Sequence, residues 1–265
     1  MNTRLESFTI PVDDERISGT LLIPATAFPG VLFVHGWGGS QEQDLSRARD
    51  VAALGCASLT FDLRGHDRTA ERFQSVNRDQ NLRDLIAAYD WFVSQRSVEP
   101  SAIAVVGISY GGYLASLLTA LRPVRWLALR APAIYKDTDW TRPKLALHAD
   151  PELPAYRQRA IPWNENKALT ACAAFRGDVL AVESECDDVI PHQVVENYVA
   201  ACRNARSITS RVIAHADHSL SDKRWQHAYT QILVAWLTEM VFGARSDGAS
   251  AQVDTRRPQG YAAGR

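Results

Sequence analysis

The sequence predicts an α/β fold in which helices cover both faces of a mostly parallel β-sheet. Short, continuous apolar runs recur along the chain, as expected for strands that are buried on both faces of a sheet. Between these runs lie longer segments in which apolar residues recur at helical spacing. Strands that alternate with helices in this way are typical of parallel sheets. A length of 265 residues suits one large domain of this class.

The N-terminal segment follows a different pattern from the runs further along the chain. Apolar residues alternate with polar ones in residues 8–12 and again in residues 17–23, which predicts two strands. The polar residues 13–15 between them predict a turn. The two strands are therefore expected to form a hairpin ahead of the parallel sheet.

The remaining strands and helices are predicted from the apolar runs and the helical periodicity in turn. The predicted buried strands are 31–34, 57–61, 103–107, 125–129, 179–182 and 208–214. The predicted helices are 43–54, 78–94, 113–121 and 194–202. A last helix carries its apolar residues on one face: Trp225, Tyr229, Ile232, Leu233, Trp236, Leu237 and Met240.

Two segments depart from this alternation of strands and helices, and they define the predicted domain organisation. Residues 134–176 are rich in proline, tryptophan and tyrosine, and they predict a small cap inserted over the C-terminal edge of the sheet. Residues 243–265 lack apolar periodicity and predict a disordered tail. The domain itself is therefore expected to span residues 1–242.

Composition excludes several classes of function. The formal net charge of -1 provides no overall field that would attract nucleic acid or an anionic membrane. No stretch has the length and purity of a membrane-spanning helix, and the N-terminus does not resemble a secretory signal. The four cysteines are scattered and form no CxxC pair, which argues against a metal knuckle or a redox motif. These features predict a cytoplasmic protein with reduced thiols.

The motif with the clearest chemical meaning is GISYG at residues 107–111. It follows a predicted buried strand and precedes an apolar helix, which is the context that a G-x-S-x-G nucleophile elbow requires. Such a turn is too sharp for large side chains two residues before and after the serine. The sequence therefore predicts Ser109 as a nucleophile, which in turn needs an activating base.

Candidates for that base and for its acidic partner lie near the end of the chain. His215 and His218 both follow the last predicted core strand, and His218 is favoured because it lies further into the loop before the final helix. The acid is expected after the strand 179–182, where Asp187 is the first choice and Asp188 and Glu185 are alternatives. The spacing alone does not decide whether Asp187 or Asp188 is the acid.

A nucleophilic serine also needs fixed donors for the negative charge on the tetrahedral intermediate. The backbone N–H of Tyr110, directly after the serine, is one candidate. The second candidate is the N–H of Trp37 in the glycine-rich turn HGWGG, residues 35–39. This turn lacks the G-x-x-x-x-G-K-[ST] and G-x-G-x-x-G patterns of phosphate-binding loops.

Taken together, these motifs resemble the α/β-hydrolase superfamily over residues 5–242. Four blocks carry the resemblance in chain order: 35–39 (HGWGG), 62–66 (DLRGH), 107–112 (GISYGG) and 186–191 (CDDVIP), the last followed by Asp217 and His218. The chain is most similar to dienelactone-hydrolase-like, serine-aminopeptidase-like and small bacterial esterase members. Their patterns imply Asp187 as the acid and His218 as the base.

Two features depart from those relatives. Related sequences often continue R-G-H-G-x-S, whereas here residues 64–66 (RGH) are followed by DRT, which puts the shape of this loop in doubt. Dienelactone hydrolases proper use a cysteine nucleophile, and Ser109 puts that particular activity in doubt.

The resemblance implies acyl transfer to water through an acyl-enzyme, with no metal and no organic cofactor. A small-molecule carboxylic ester with a short to medium acyl chain is the expected substrate. Trp37, Tyr135, Trp140 and Trp163 are candidates for its pocket, although the last three are equally suited to pack the cap onto the sheet. A peptidase or amidase with the same triad, and a non-catalytic binding protein, remain as alternatives. The sequence does not define the oligomeric state.

Overall fold

One eight-stranded sheet organises the chain in the computed structural model, which describes residues 4–23 and 28–254. The strands are β1 (Arg4–Val12), β2 (Glu15–Ile23), β3 (Phe28–Val34), β4 (Ala57–Phe61), β5 (Val98–Ile108), β6 (Trp126–Arg130), β7 (Asp178–Ser184) and β8 (Ser207–Ile213). Their order across the sheet is β1-β2-β4-β3-β5-β6-β7-β8. Among the described strands, the pairs β1–β2 and β2–β4 are antiparallel and the other five pairs are parallel, which confirms the predicted mostly parallel sheet.

Helices pack on both faces of this sheet. The α-helices are α1 (Glu42–Ala53), α2 (Arg78–Val93), α3 (Tyr110–Leu118), α4 (Lys144–His148), α5 (Leu153–Arg157), α6 (Lys167–Ala174), α7 (His192–Ala201) and α8 (Lys223–Asp254). Helices α1 and α8 cover one face, and α2, α3, α6 and α7 cover the other. The predicted α/β class is therefore confirmed.

Strand β5 shows why the central strands read as continuous apolar runs. Successive side chains of a strand point to opposite faces of the sheet. Ile103 and Val105 accordingly join the core under α2 and α3, whereas Ala104 and Val106 join the core under α1 and α8. Burying an isoleucine or valine side chain contributes roughly 1.5–3 kcal/mol, so both faces help to fix the strand that carries the serine motif.

The N-terminal hairpin is confirmed and lies at the edge of the sheet. Strands β1 and β2 pair in register from Arg4 opposite Ile23 to Val12 opposite Glu15. Asp13 in the tight turn has φ of 52°, a conformation that aspartate adopts more readily than most residues. The turn also brings the Asp13 carboxylate to 3.0 Å from the Arg64 guanidinium.

Residues 134–176 do not form one separate cap. Helix α6 packs between α3 and α7, and its Leu169 and Cys172 lie in the main core. The part before α6 reaches the loop after β3, where the Lys144 Nζ lies 4.6 Å from the centre of the Trp37 ring. The small apolar residues of α6 explain the difference, because they allow the helix to approach α3 closely.

The C-terminal helix extends further than the sequence pattern predicted. Helix α8 continues to Asp254, past the expected domain boundary at residue 242. The segment 243–254 contains several alanines and no proline, so nothing in its backbone chemistry stops the helix. Residues 255–265 of the predicted tail lie outside the described residues.

A buried ion pair ties the loop after β4 to helix α2. Arg64 is 2% exposed and Asp84 is 0% exposed, and Arg64 Nε donates a 2.6 Å hydrogen bond to Asp84 Oδ1. The other oxygen of Asp84 accepts the backbone N–H of Arg64 at 2.9 Å. Removing Asp84 leaves the buried guanidinium to Asp13 and Glu15, whose side chains are more exposed and compensate its charge less well.

We predict that Asp84→Ala lowers the free energy of unfolding by about 3–5 kcal/mol. Asp79→Ala is the matched control, because Asp79 lies on the same helix in an ion pair with Arg83 and is 51% exposed. This control is expected to cost less than about 1 kcal/mol. Urea denaturation followed by circular dichroism measures both values, and equal losses would contradict the role given to the buried pair.

Candidate active site

Ser109 lies at a strained turn between β5 and α3. Its φ of 51° and ψ of -115° are uncommon for a residue with a side chain, and such strain costs about 1–3 kcal/mol. Two hydrogen bonds hold the turn: the Ser109 N–H donates to the Arg130 carbonyl, and the Ala133 N–H donates to the Ser109 carbonyl, both at 2.9 Å. The strain turns the serine side chain out of the line of the strand.

Close backbone approach explains the two flanking glycines. A Cβ placed on Gly107 would lie 2.5 Å from the Gly111 carbonyl oxygen. A Cβ on Gly111 would lie 2.1 Å from the carbonyl oxygen of Val34 at the end of β3. Because neither contact leaves room for a side chain, the G-x-S-x-G spacing is a steric requirement of this turn.

A continuous chain of hydrogen bonds links Ser109, His218 and Asp187. The Ser109 Oγ lies 3.0 Å from His218 Nε2, and His218 Nδ1 lies 2.7 Å from Asp187 Oδ2. An ionised carboxylate can only accept, so His218 Nδ1 carries a proton and Nε2 is free to accept the serine hydroxyl proton. The structure thus brings together the three residues predicted from sequence in the order that activates a serine.

The surroundings of Asp187 favour its ionised form. Burial alone would raise its pKa, but the hydrogen bond from His218 and the backbone N–H of Ile190 outweigh burial and lower the pKa. Asp187 Oδ1 accepts the N–H groups of Ile190 at 2.7 Å and Val189 at 2.9 Å. The carboxylate is therefore fixed and charged when it faces the imidazole.

The alternative acids and the alternative histidine lie elsewhere. Glu185 accepts the backbone N–H of His215, and its carboxylate lies 3.2 Å from the His215 ring. The His215 side chain is 84% exposed, so this pair belongs to the surface. Asp188 is also exposed. Neither Asp188 nor His215 takes part in the hydrogen-bond chain at Ser109.

The loop after β3 lies against the serine and presents a free amide. A Cβ on Gly36 would lie only 3.4 Å from the Ser109 Cβ. The N–H groups of Gly38 and Gly39 are taken by His66 Nε2 and the Gly36 carbonyl, each at 3.0 Å. In the part of the chain that the structure describes, the Trp37 N–H has no acceptor. It is available for a ligand beside the nucleophile.

The Tyr110 amide is available for a different reason. Tyr110 is the first residue of α3, and the first N–H groups of a helix have no acceptor within the helix. The positive end of the helix dipole adds to the attraction for negative charge at this point. Both predicted oxyanion donors therefore flank Ser109.

Two buried histidines hold the loop in place as neutral rings. His35 Nε2 accepts the Leu63 N–H at 3.0 Å, so its proton lies on Nδ1, which donates to the Gly36 carbonyl at 2.8 Å. Burial lowers the pKa of His35 to about 3. Burial also lowers the pKa of His66, whose ring contacts His35 edge-on. Protonation of either ring would disturb the loop that carries the Trp37 amide.

A cavity of about 380 Å³ opens directly at Ser109. Its wall contains Ser109, His218 and the loop 36–39, including the expected pocket residue Trp37. Two arginines, Arg47 and Arg130, also line it. The cavity is therefore more polar than the predicted aromatic pocket.

The other three aromatic pocket candidates lie outside this cavity, so their predicted placement is wrong. Tyr135 is 3% exposed and packs against Tyr110 in the core. Trp140 lines a separate surface groove, and Trp163 is 40% exposed. Tyr135 and Trp140 pack against Tyr113, which is the alternative that the sequence left open for them.

Neither arginine of the cavity wall was among the predicted site residues, although the position of one of them in the sequence indicates a role at the site. Arg130 ends the apolar strand β6, and a charge at the carboxyl end of a buried parallel strand lies at the edge where α/β sheets bind ligands. Arg47 lies on α1 among other polar residues and carries no comparable signal.

Metal and membrane signatures are absent from the described residues. Within 4–23 and 28–254, no group of three or more His, Cys, Asp or Glu side chains is arranged to hold a metal ion. The same residues contain no helix that is long and apolar enough to cross a bilayer.

Solved structures with the same fold are hydrolases of several kinds. The chain superimposes on Est1E from Butyrivibrio proteoclasticus, solved with ferulic acid, with a TM-score of 0.67 and 18% identity, covering 88% of this chain and 98% of that one. Dienelactone hydrolase from Anabaena variabilis gives a TM-score of 0.65 at 19% identity, covering 89% and 98% of the two chains. At these identities the likeness shows the fold.

Two curated relatives are uncharacterized proteins from strains of Mycobacterium tuberculosis. Each is 28% identical over 198 residues, which is 74% of this chain. The match spans 66% of each relative's length, slightly less than two thirds.

The sheet and its neighbours show that the chain has the α/β-hydrolase fold, with Ser109 at the sharp strand-to-helix turn. Within that fold class, the model of the prolyl oligopeptidase family matches residues 43–243. The chain belongs to the prolyl oligopeptidase family.

The buried neutral His35 predicts a pH-dependent stability. Its pKa is about 3 in the folded state against 6.5 in the unfolded chain, so between these values the unfolded state binds more protons. The stabilisation is complete above pH 6.5 and is lost as the pH falls towards 3. We expect this residue alone to lower the free energy of unfolding by about 2 kcal/mol from pH 7 to pH 5.

His35→Gln is expected to remove that part of the pH dependence, because glutamine does not titrate. His227→Gln is the control, since His227 is exposed. Urea denaturation at both pH values gives the difference for each variant. The same pH dependence in His35→Gln and in the wild type would disprove the assignment.

Proposed function

We propose that this protein hydrolyses carboxylic esters through Ser109, His218 and Asp187. The observation that carries the proposal is the unbroken hydrogen-bond chain from the Ser109 hydroxyl through His218 to Asp187 at a strained elbow. A strained turn, an oriented imidazole and a charged acid together have a clear use in nucleophilic catalysis. A binding protein on the same fold would need none of them.

The first half of the reaction forms an acyl-enzyme. His218 Nε2 accepts the proton of the Ser109 hydroxyl while Oγ attacks the ester carbonyl carbon. Asp187 stabilises the imidazolium that results. The N–H groups of Trp37 and Tyr110 bind the oxyanion, and a single such donor is worth about 3 kcal/mol in characterised enzymes. Collapse of the intermediate expels the alcohol, which takes the proton from His218.

The second half releases the acid and restores the enzyme. His218 accepts a proton from a water molecule, and the hydroxide formed attacks the acyl carbonyl carbon. The same two amides bind the second oxyanion. When the bond to Ser109 Oγ breaks, the serine recovers its proton from His218. The balance is one ester and one water to one acid and one alcohol.

Esters with short to medium acyl chains are proposed as the substrates. The cavity of about 380 Å³ at Ser109 lies near the lower end of the size range of small-molecule pockets. Such a space suits a short chain better than a long one. The esterase likeness in fold is consistent with this choice.

Cleavage of peptides or amides by the same triad is the second candidate. The observation in its favour is the match to the prolyl oligopeptidase family over residues 43–243. Amide cleavage uses the same acyl-enzyme, with an amine as the leaving group. Activity on aminoacyl-p-nitroanilides without activity on esters would favour this candidate.

We predict that the purified protein hydrolyses p-nitrophenyl acetate and butyrate, and that Ser109→Ala lowers kcat on the order of 10⁶-fold because the nucleophile is lost. Ser101→Ala is the control, since Ser101 is an exposed residue near the other end of β5. Equal activity of wild type and Ser109→Ala would refute the nucleophile. Activity on neither esters nor anilides would leave the protein without the proposed function.

A further inference from the structure

The cavity beside Ser109 contains polar groups that the proposed chemistry does not use. Arg130 Nε, Arg47 Nε and the Tyr229 hydroxyl are buried and have no hydrogen-bond partner in the described part of the chain. All three side chains line the same cavity as Ser109 and His218. Buried polar groups are normally paired, so three unpaired groups around one cavity indicate that something polar binds there.

Arg130 is buried, and no carboxylate pairs directly with it among the described residues. It is 3% exposed, and its Nη2 donates to Ser184 Oγ at 2.9 Å and to the Asp217 carbonyl at 3.2 Å. Among the described residues, no carboxylate lies within 4.0 Å of its guanidinium. A buried cation without an anion is costly, in contrast to Arg64, which has Asp84.

Arg47 adds a second guanidinium whose charge is partly balanced. Its Nη1 donates to Asp44 Oδ1 at 2.9 Å and to the Gln43 carbonyl at 3.0 Å. The rest of the group lies over the Tyr229 ring, 4.9 Å from its centre. Burial raises the pKa of Tyr229 to about 12, so this residue offers a neutral hydroxyl.

The formal charges of Arg47, Asp44, Arg130 and Asp187 around the cavity balance, but no carboxylate pairs directly with the Arg130 guanidinium among the described residues. Asp44 balances Arg47 through its ion pair. Asp187 is bound to His218 and to two backbone amides, so its hydrogen-bonding capacity is already used. Arg130 therefore keeps guanidinium donors that a ligand carboxylate can use. Guanidinium groups bind carboxylates with paired, directional hydrogen bonds.

We propose that this cavity binds a carboxylate of the substrate while Ser109 attacks an ester group of the same molecule. The inference rests on the proposed function and names its substrate class: esters that carry a free carboxylate. Arg130 provides the main charge, and Arg47 and the Tyr229 hydroxyl provide further donors. A short apolar acyl chain fits this space but leaves the three polar groups unpaired, so an ester that also carries a carboxylate is expected to be the better substrate.

The test compares charged esters with neutral partners of the same shape. One pair places the charge on the acyl side: mono-p-nitrophenyl adipate and its methyl ester. The other pair places it on the leaving group: 4-acetoxybenzoate and methyl 4-acetoxybenzoate. We expect kcat/KM to favour the charged member at least tenfold in one pair, after subtraction of the uncatalysed rate. Labelling of Ser109 by a fluorophosphonate reports the nucleophile independently of any ester.

Substitutions then assign the preference to the arginines. Arg130→Gln is expected to lower the ratio of kcat/KM for charged over neutral ester by roughly ten- to hundredfold, because a hydrogen-bonded charge is lost. Arg130→Lys restores part of the ratio, and Arg47→Gln lowers it by a smaller factor. Arg224→Gln keeps the wild-type ratio, since Arg224 is 85% exposed and pairs with Asp222.

Arg130 also contacts the loop of His218, so its substitution can lower activity on every ester. The ratio separates the two effects, because a displaced loop lowers both members of a pair alike. Arg47→Gln provides the same test without that contact. A wild type that cleaves both members of each pair equally, or a ratio unchanged in Arg130→Gln and Arg47→Gln, would overturn the inference alone. A Ser109 that is not labelled and an enzyme inactive on all four esters would overturn the proposed function with it.

Discussion

The strained backbone of Ser109 is the constraint on which the rest of the site depends. A φ of 51° at this residue is maintained only because the surrounding packing leaves no alternative. Gly111 lies directly against the end of β3, so the turn and the loop with the Trp37 amide are fixed relative to each other. Ser109 and the N–H groups of Trp37 and Tyr110, the proposed oxyanion donors, therefore form one unit near the centre of the sheet.

Arg130 connects this unit to the base. Its carbonyl accepts the Ser109 N–H, and its guanidinium donates to the Asp217 carbonyl in the loop that carries His218. The residue thus holds the serine turn through its main chain and the histidine loop through its side chain. If its remaining donors bind the substrate carboxylate, as proposed, then substrate binding and the alignment of the triad both depend on Arg130. The cost of burying its charge is then offset only in the complex.

Burial sets the charge state on each side of the nucleophile in opposite ways. His35 and His66 have few partners for a charged form, so burial keeps these rings neutral under the oxyanion loop. Asp187 is also removed from water, but His218 and two amides face it and keep it charged. Removal from water favours the neutral form of each of these groups. His35 and His66 therefore stay neutral, whereas the donors that face Asp187 keep it ionised.

Much of the fold was readable from the sequence because local patterns determine it. The strand 57–61 and the start of α2 at Arg78 were predicted at the observed residues, since apolar runs and capping signals lie in the local chain. The serine turn was readable because its glycines are a steric requirement. The packing of α6 and the lining of the cavity could not be predicted from the sequence, because both depend on contacts between side chains that are distant in the chain. Arg47 enters the cavity from α1, far in sequence from Ser109, and no local pattern records such a contact.

The most direct test of the central claim is to trap the acyl-enzyme. The protein is mixed with excess p-nitrophenyl butyrate, quenched in acid within the first turnover and digested for mass spectrometry. We expect a butyryl group on Ser109 in the peptide that contains residues 107–111. A butyryl group on another residue, or rapid turnover with no modified serine in quenched samples of the Asp187→Asn and wild-type proteins, would contradict it.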